Sequence, residues 1–372
     1  MRVPPPIATL LALALLTACT AAPHPRVPAA DGPSSPSRGD AAPSSSRPTS
    51  PSGAATARAV DAVSWPRFGP DREGVSLDGL TNTVPDVIGP VDGSAKLTIF
   101  TEGNHYPVLL PLVLDGFAAA CAPDPACGFG ADEILIVTLP QYMIVQALRA
   151  GRLRFGNLVL PLAPGGVWPN LVMGGRGPLT KLAADGLVVA EARVLARHRG
   201  MGLLARQTHG AASRDLASLS ASSARIVMAT PIEKGARRQY RATLVAELGQ
   251  RRTDALFDRA VGDFPGRLAI QHRDVPYALL SGRADVGVIF GHLATFYARR
   301  YPDTLVATTL PASAAFGETI LMAPTRTSTR APDPALEALI AYLRRRAPAA
   351  YEAGGFAAPG DFDFDATVRL DP

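Results

Sequence analysis

The sequence predicts an α/β fold of two lobes, with parallel-rich sheets covered by helices. Three observations predict it. From Leu97 onward, apolar runs short enough to be buried strands alternate with helical runs. One such unit is complete in Ala269 to His292, AIQHRDVPYALLSGRADVGVIFGH. It holds a polar loop, a helical run through Val275, Leu279 and Leu280, a glycine stop at Gly282, and the apolar run Ala284 to Phe290. Finally, four loops beside helix starts carry polar tips, and in open α/β sheets ligands bind outside the carboxyl ends of the strands.

The elements follow in order. Leu97 to Phe100 reads as a strand and Pro107 to Ala120 as a helix. Ile134 to Thr138 is a second strand, Gln141 to Ala150 a helix, and Leu158 to Leu162 a third strand. Pro164 to Lys181 is rich in glycine and reads as a loop. Gly186 to Ala196 and Met201 to Ala205 read as strands crossing to a second lobe. Ala224 to Ala229 is a strand, Gly235 to Leu248 a helix with many arginines, and Leu305 to Thr309 a strand. Thr319 to Ala323 crosses back, and Pro334 to Arg345 is an amphipathic helix. Lobe one then takes residues 95–190 and 313–372, and lobe two takes 191–312.

The amino terminus sets the compartment. Arg2 precedes an apolar run from Ile7 to Leu16, too short to span a bilayer, and small residues lead to Cys19. Residues 1–18 resemble a lipoprotein signal peptide, which implies cleavage before Cys19 and a lipid on its thiol. A plain signal peptide with an incidental cysteine is the alternative. Residues 19–60, rich in Pro, Ser and Ala and without an aromatic residue, cannot bury enough surface to fold and read as a tether. Residues 61–94 are transitional, with Trp65 and Phe68 expected to pack on the globular part.

Composition narrows the function. The net charge of +5 comes from scattered arginines with no dense basic run, which argues against nucleic acid. Cys121 and Cys127 flank a Pro-containing loop that can hold them at disulfide distance outside the cytoplasm; two free thiols are the alternative. No Gly-x-Ser-x-Gly elbow and no His-Glu-x-x-His helix occurs, so a binding protein without a cofactor is expected, and not an enzyme.

The ordered segments LTIF…GNHYPVLLPLVLDGF, TLPQYMIVQALRAG, ARIVMATP…KGARRQY, VPYALLSGRADVGVIF, ETILMAP and ALEALIAYLRRRAPAAYEAGGFAAP carry a resemblance. Together they resemble the type II periplasmic solute-binding proteins of ABC importers, in a divergent molybdate-type branch. The resemblance implies the two-lobed type II fold with two crossing hinge strands, and an ABC permease as partner. It also implies a small anion, such as a molybdate- or tungstate-like oxyanion or an organic anion, held in the cleft between the lobes.

In the molybdate-type family two serines, backbone N–H groups and a tyrosine hydroxyl bind the oxyanion. Those positions fall here at Asn104, near Pro140 or Gln141, near Gly235 or Ala236, at Val275 and at Phe290, which has no hydroxyl. The candidate ligand-binding set is therefore Thr101, Asn104, His105, Gln141, Tyr142, Thr230, Lys234, His272, Val275 and Phe290. Helix N-termini at these loops favour negative charge. Two readings stand beside this one. His105, His272 and His292, with Glu102 or Glu233, could form a transition-metal site. A lipoprotein that senses its ligand without transport has the same sequence features.

Overall fold

The computed structural model describes residues 86–371, except 126, 156–157, 164–165, 230–233, 262–271, 311–312, 314, 316 and 329–332. Cys19, the tether, Trp65, Phe68, Thr230 and Glu233 therefore lie outside the described residues. Among the described residues no helix is long and apolar enough to cross a membrane.

The strands are β1 (Asp86–Ile88), β2 (Leu97–Glu102), β3 (Ile134–Leu139), β4 (Arg152–Phe155), β5 (Leu158–Pro161), β6 (Leu171–Gly174) and β7 (Glu191–Arg197). They continue with β8 (Met201–Arg206), β9 (Ile226–Val227), β10 (Val286–Phe290), β11 (Leu305–Thr309), β12 (Thr319–Pro324) and β13 (Thr367–Arg369). The helices that position the site are α1 (106–121), α2 (Gln141–Ala150), α3 (Arg176–Ala184), α4 (Lys234–Leu248), α5 (Asp274–Leu280), α6 (Gly291–Arg300) and α7 (Pro334–Ala353).

The larger sheet has the order β1-β3-β2-β6-β12-β7-β13 and the smaller one β11-β8-β10-β9. In the larger sheet β3, β2 and β6 pair in parallel and the remaining neighbouring pairs are antiparallel. Every residue of β2 and β3 is buried, because helices cover both faces, and so both read as continuous apolar runs. α2 ends where Gly151 adopts a left-handed conformation. One apolar cluster, from Leu97 and Tyr106 to Leu203 and Val286, runs through both sheets; a second, around Phe100 and Leu148, fills the other face of the larger sheet. Cys121 and Cys127 form a disulfide with Cα atoms 5.2 Å apart.

Several expectations change. The stretch read as a loop, 164–181, contains β6 and the start of α3. Three apolar residues before a glycine pair are too few to show a period, yet Leu171, Val172 and Met173 are buried at the sheet centre. Leu158–Pro161 instead forms a two-stranded hairpin with β4. β7, expected to open lobe two, pairs with β12 and β13 in the larger sheet. The chain crosses between sheets at residues 198–200 and returns after β11. Asp86, from the transitional segment, adds β1 to the edge of the larger sheet beside β3.

Gly200 makes the first crossing possible. Its φ of +101° is a left-handed conformation, and a Cβ there would lie 2.3 Å from Ser313 Oγ. Ser313 cannot give way freely, since its Oγ accepts from Met201 N at 2.6 Å and donates to Leu310 O. Gly200→Ala is expected to destabilise the fold by about 2–4 kcal/mol. Urea unfolding checks this: the midpoint should fall with an unchanged slope. An unaltered midpoint would refute the constraint.

Candidate functional site

A cleft of about 1020 Å³ lies between the two sheets. From the larger sheet it is lined at the carboxyl ends of β2, β3 and β6, by Glu102–Asn104, Thr138–Tyr142 and Gly175–Pro178. Val194, Glu318, Thr319, Leu321 and Val368 complete that wall. The smaller sheet's side contributes Ala236, Arg238, Gln239, His272, Arg273 and Phe290. The position follows from topology: parallel strands send all their carboxyl-end loops to the same edge.

The floor is Glu102. It is 2% exposed. Its Oε2 accepts from Asn104 Nδ2 at 2.8 Å, while its Oε1 is buried without a hydrogen-bond partner. Burial pushes its carboxyl up to about 7, against the opposing pull of the Asn104 N–H groups and of His272.

Arg273 bridges the two walls. It makes a bidentate pair with Asp86, NH2 donating to Oδ1 at 3.0 Å and NH1 to Oδ2, and its guanidinium lies 4.5 Å from the Tyr106 ring centre. Thr138 Oγ1 also donates to Asp86. Burial works against the charge on Arg273, and the Asp86 carboxylate more than offsets it.

Five of the sequence-predicted residues line the cleft: Asn104, Gln141, Tyr142, His272 and Phe290. Gln141 Oε1 accepts from Gly175 N at 3.1 Å and so ties two cleft loops together. Tyr142 is 43% exposed and lines the cleft. Lys234 begins α4. Thr101 and Val275 are fully buried and do not line the cleft. The Val275 N–H, expected as a ligand donor, donates to His272 O at 3.2 Å within the first turn of α5.

Among the described residues His105, His272 and His292 are not grouped as a metal site. The Thr101 hydroxyl donates to Glu102 O at 3.2 Å, so His105 Nε2–H donates to Thr101 Oγ1 and Tyr351 OH donates to His105 Nδ1. His292 Nε2–H donates to Asn104 O at 2.8 Å, which leaves its Nδ1 facing His198 Nδ1 at 3.4 Å. His272 Nδ1 bonds to Tyr240 OH. Both nitrogens of His105 and of His292 are therefore committed within the protein. Among the described residues no three His, Cys, Asp or Glu side chains are grouped to hold a metal ion.

Sequence reasoning missed Arg176, Arg238, Gln239, Arg273 and Glu318 as cleft residues. Arg176 and Arg273 carried a usable signal. The first follows a Gly-Gly pair at a strand-to-helix junction, and the second sits in the polar loop before α5. Arg238 and Gln239, in the first turns of α4, look like other exposed helix residues, and Glu318 has no local signature.

The family described as bacterial extracellular solute-binding protein matches residues 165–357, just over half of the chain. No curated protein sequence matches. Among solved structures, the sulfate-binding protein SubI from Mycobacterium tuberculosis H37Rv superposes with a TM-score of 0.51 at 14% identity. The match covers 70% of this chain and 85% of that one, and it shows the two-lobed fold alone. The periplasmic molybdate-binding protein of Azotobacter vinelandii gives 0.48 at 16% identity, over 71% and 99% of the two chains.

The buried histidines make stability depend on pH. Burial, reinforced by a neighbouring imidazole, lowers His105 and His198 to about 3, and lowers His292 well below its ordinary 6.5. Between those values the unfolded chain binds more protons than the folded one, so stability falls as pH drops from about 6.5 toward 3. Glu102, raised from 4.5 to about 7, acts oppositely in its window, because there the folded state binds more protons. Three imidazoles outweigh one carboxyl, so the urea midpoint is expected to be lower at pH 5 than at pH 7. A higher midpoint at pH 5 would show that the imidazoles are not held neutral.

Proposed function

The chain belongs to the bacterial extracellular solute-binding proteins, and on that premise we propose that it captures a small organic anion between its lobes and delivers it to an ABC permease. A lipid on Cys19 holds it at the membrane, with residues 19–60 as the tether. The reading is one of binding without turnover. The observation that carries the anion is a pair of arginines: Arg176, on α3, and Arg238, on α4, enter the cleft from opposite lobes. Neither has a carboxylate partner among the described residues. Arg176 also stands at the first position of its helix, where backbone N–H groups favour negative charge. The size and lining favour an organic ion. About 1020 Å³ is at the upper end of the roughly 300–1,000 Å³ typical of small-molecule sites. Tyr142, Leu139, Phe290 and Leu321 supply an apolar surface that an inorganic oxyanion does not use.

A thermal-shift screen of di- and tricarboxylates, amino acids, sulfate, molybdate and divalent metals tests the ligand class. A ligand at a hundred times its Kd stabilises by about 2.7 kcal/mol, a shift of about 3–5 °C for a chain of this size. The expected result is a shift with an organic anion and a loss of about tenfold or more in affinity in Arg238→Ala. A shift with metals alone would overturn the reading. For the anchor, Cys19→Ala is expected to move the exported protein from the membrane to the soluble fraction. Retention at the membrane would refute anchoring through Cys19.

A further inference from the structure

We propose that Glu102 is a ligand-contacting residue that reads a hydrogen-bond donor, so that the cleft selects organic anions bearing a hydroxyl or ammonium group near the acid and disfavours donorless anions. This inference rests on the reading of the cleft as an anion site. The carrying observation is the orphaned Oε1. Glu102 lines the cleft, is 2% exposed, and has one carboxyl oxygen served by Asn104 and the other by nothing. A buried carboxylate oxygen without a partner is costly, and native structures rarely keep one without a use. The hydroxyl of the preceding residue, Thr101, donates instead to the Glu102 main-chain carbonyl, and His105 is engaged by Thr101 and Tyr351.

The surroundings say which ligand group belongs there. Glu102 is faced by His272 from the loop before α5, Glu318 from the approach to β12, and Tyr351 from α7. Arg273, on the same loop as His272, is neutralised by Asp86. The Glu318 carboxylate adds negative charge on the Glu102 side, while Arg176 and Arg238 hold the uncompensated positive charge of the cleft. A ligand with an acid group and a donor matches that division. A donorless anion meets Glu102 without repulsion only when Glu102 carries the proton, and burial keeps that carboxyl near 7.

Matched probes decide the matter: succinate against malate and aspartate, and tricarballylate against citrate, titrated calorimetrically into the wild-type chain at pH 6.0 and pH 8.5. A donorless probe must take up a proton at Glu102. Its affinity is expected to drop about 30-fold from pH 6.0 to pH 8.5, which lies roughly 1.5 pH units above the Glu102 value. Its hydroxyl-bearing partner, which can accept from the protonated carboxyl and donate to the ionised one, is expected to keep its affinity, and its amino-bearing partner, which can only donate, to bind more tightly at pH 8.5 than at pH 6.0. In Glu102→Gln the donorless probe should lose this pH dependence. Equal affinity of donorless and donor-bearing probes at pH 8.5 in the wild type would overturn the role of Glu102 while leaving the anion site standing. Binding of no probe at either pH would overturn both. The wild-type comparison decides even if the variant does not fold.

Discussion

The cleft stands on a buried stack of rings, His198, Phe290, His292 and Phe356, and most of its geometry depends on that stack. The rings come from four places: the crossing after β7, the end of β10, the start of α6, and the segment after α7. His198 lies 4.9 Å from Phe290 and 4.9 Å from His292, and His292 stacks on Phe356 at 4.1 Å. The stack is also a hydrogen-bonded support. His292 holds the Asn104 carbonyl, and Tyr351, packed edge-on against Phe356, holds His105. Through those two bonds the loop after β2 is fixed from below. The arrangement requires neutral imidazoles, because an imidazolium among apolar rings would lose its hydration without an anion to replace it.

The Asp86–Arg273 pair works on the cleft in a different way. Removing two charges from water is costly, and the bidentate geometry with the added Thr138 hydroxyl is what offsets that cost. Asp86 belongs to the larger sheet and Arg273 to the loop before α5, so any widening of the cleft at this point must separate them. The pair also consumes the charge of Arg273. The field available to a ligand is then set by Arg176 and Arg238 on one side and by Glu102 and Glu318 on the other.

What the sequence made legible was local. Gln141–Ala150 could be bounded to the residue, because its apolar spacing and the left-handed Gly151 act within one helix. Leu305–Thr309 was equally plain as a short strand. The order of elements pointed to two lobes because alternation survives without knowing any contact. Non-local facts were hidden. β6 lies in a glycine-rich stretch whose burial comes only from its neighbours, β2 and β12. β7 could not be assigned a sheet, since its partner β12 lies more than a hundred residues away. The histidines were read near the cleft and do cluster there. The sequence could not reveal that Tyr351, 246 residues from His105, would take one nitrogen and turn the ring inward.

The site residues show why resemblance in sequence order does not carry a ligand shell with it. At the positions where the molybdate-type pattern places oxyanion donors, the polar groups here are largely turned to one another. Asn104 gives an amide hydrogen to Glu102, Gln141 receives the Gly175 N–H, the Val275 N–H serves His272 O, and Phe290 has no hydroxyl. A compact, dehydrated anion needs several donors converging on one point. Here the positive groups stand on α3 and α4, and the floor is a carboxyl with one oxygen unserved. Apolar and aromatic side chains occupy the surface between them. Such a layout lacks the converging donors that a compact, dehydrated anion needs. The same fold thus keeps its cleft where topology dictates and changes its chemistry through a handful of side chains at the strand ends.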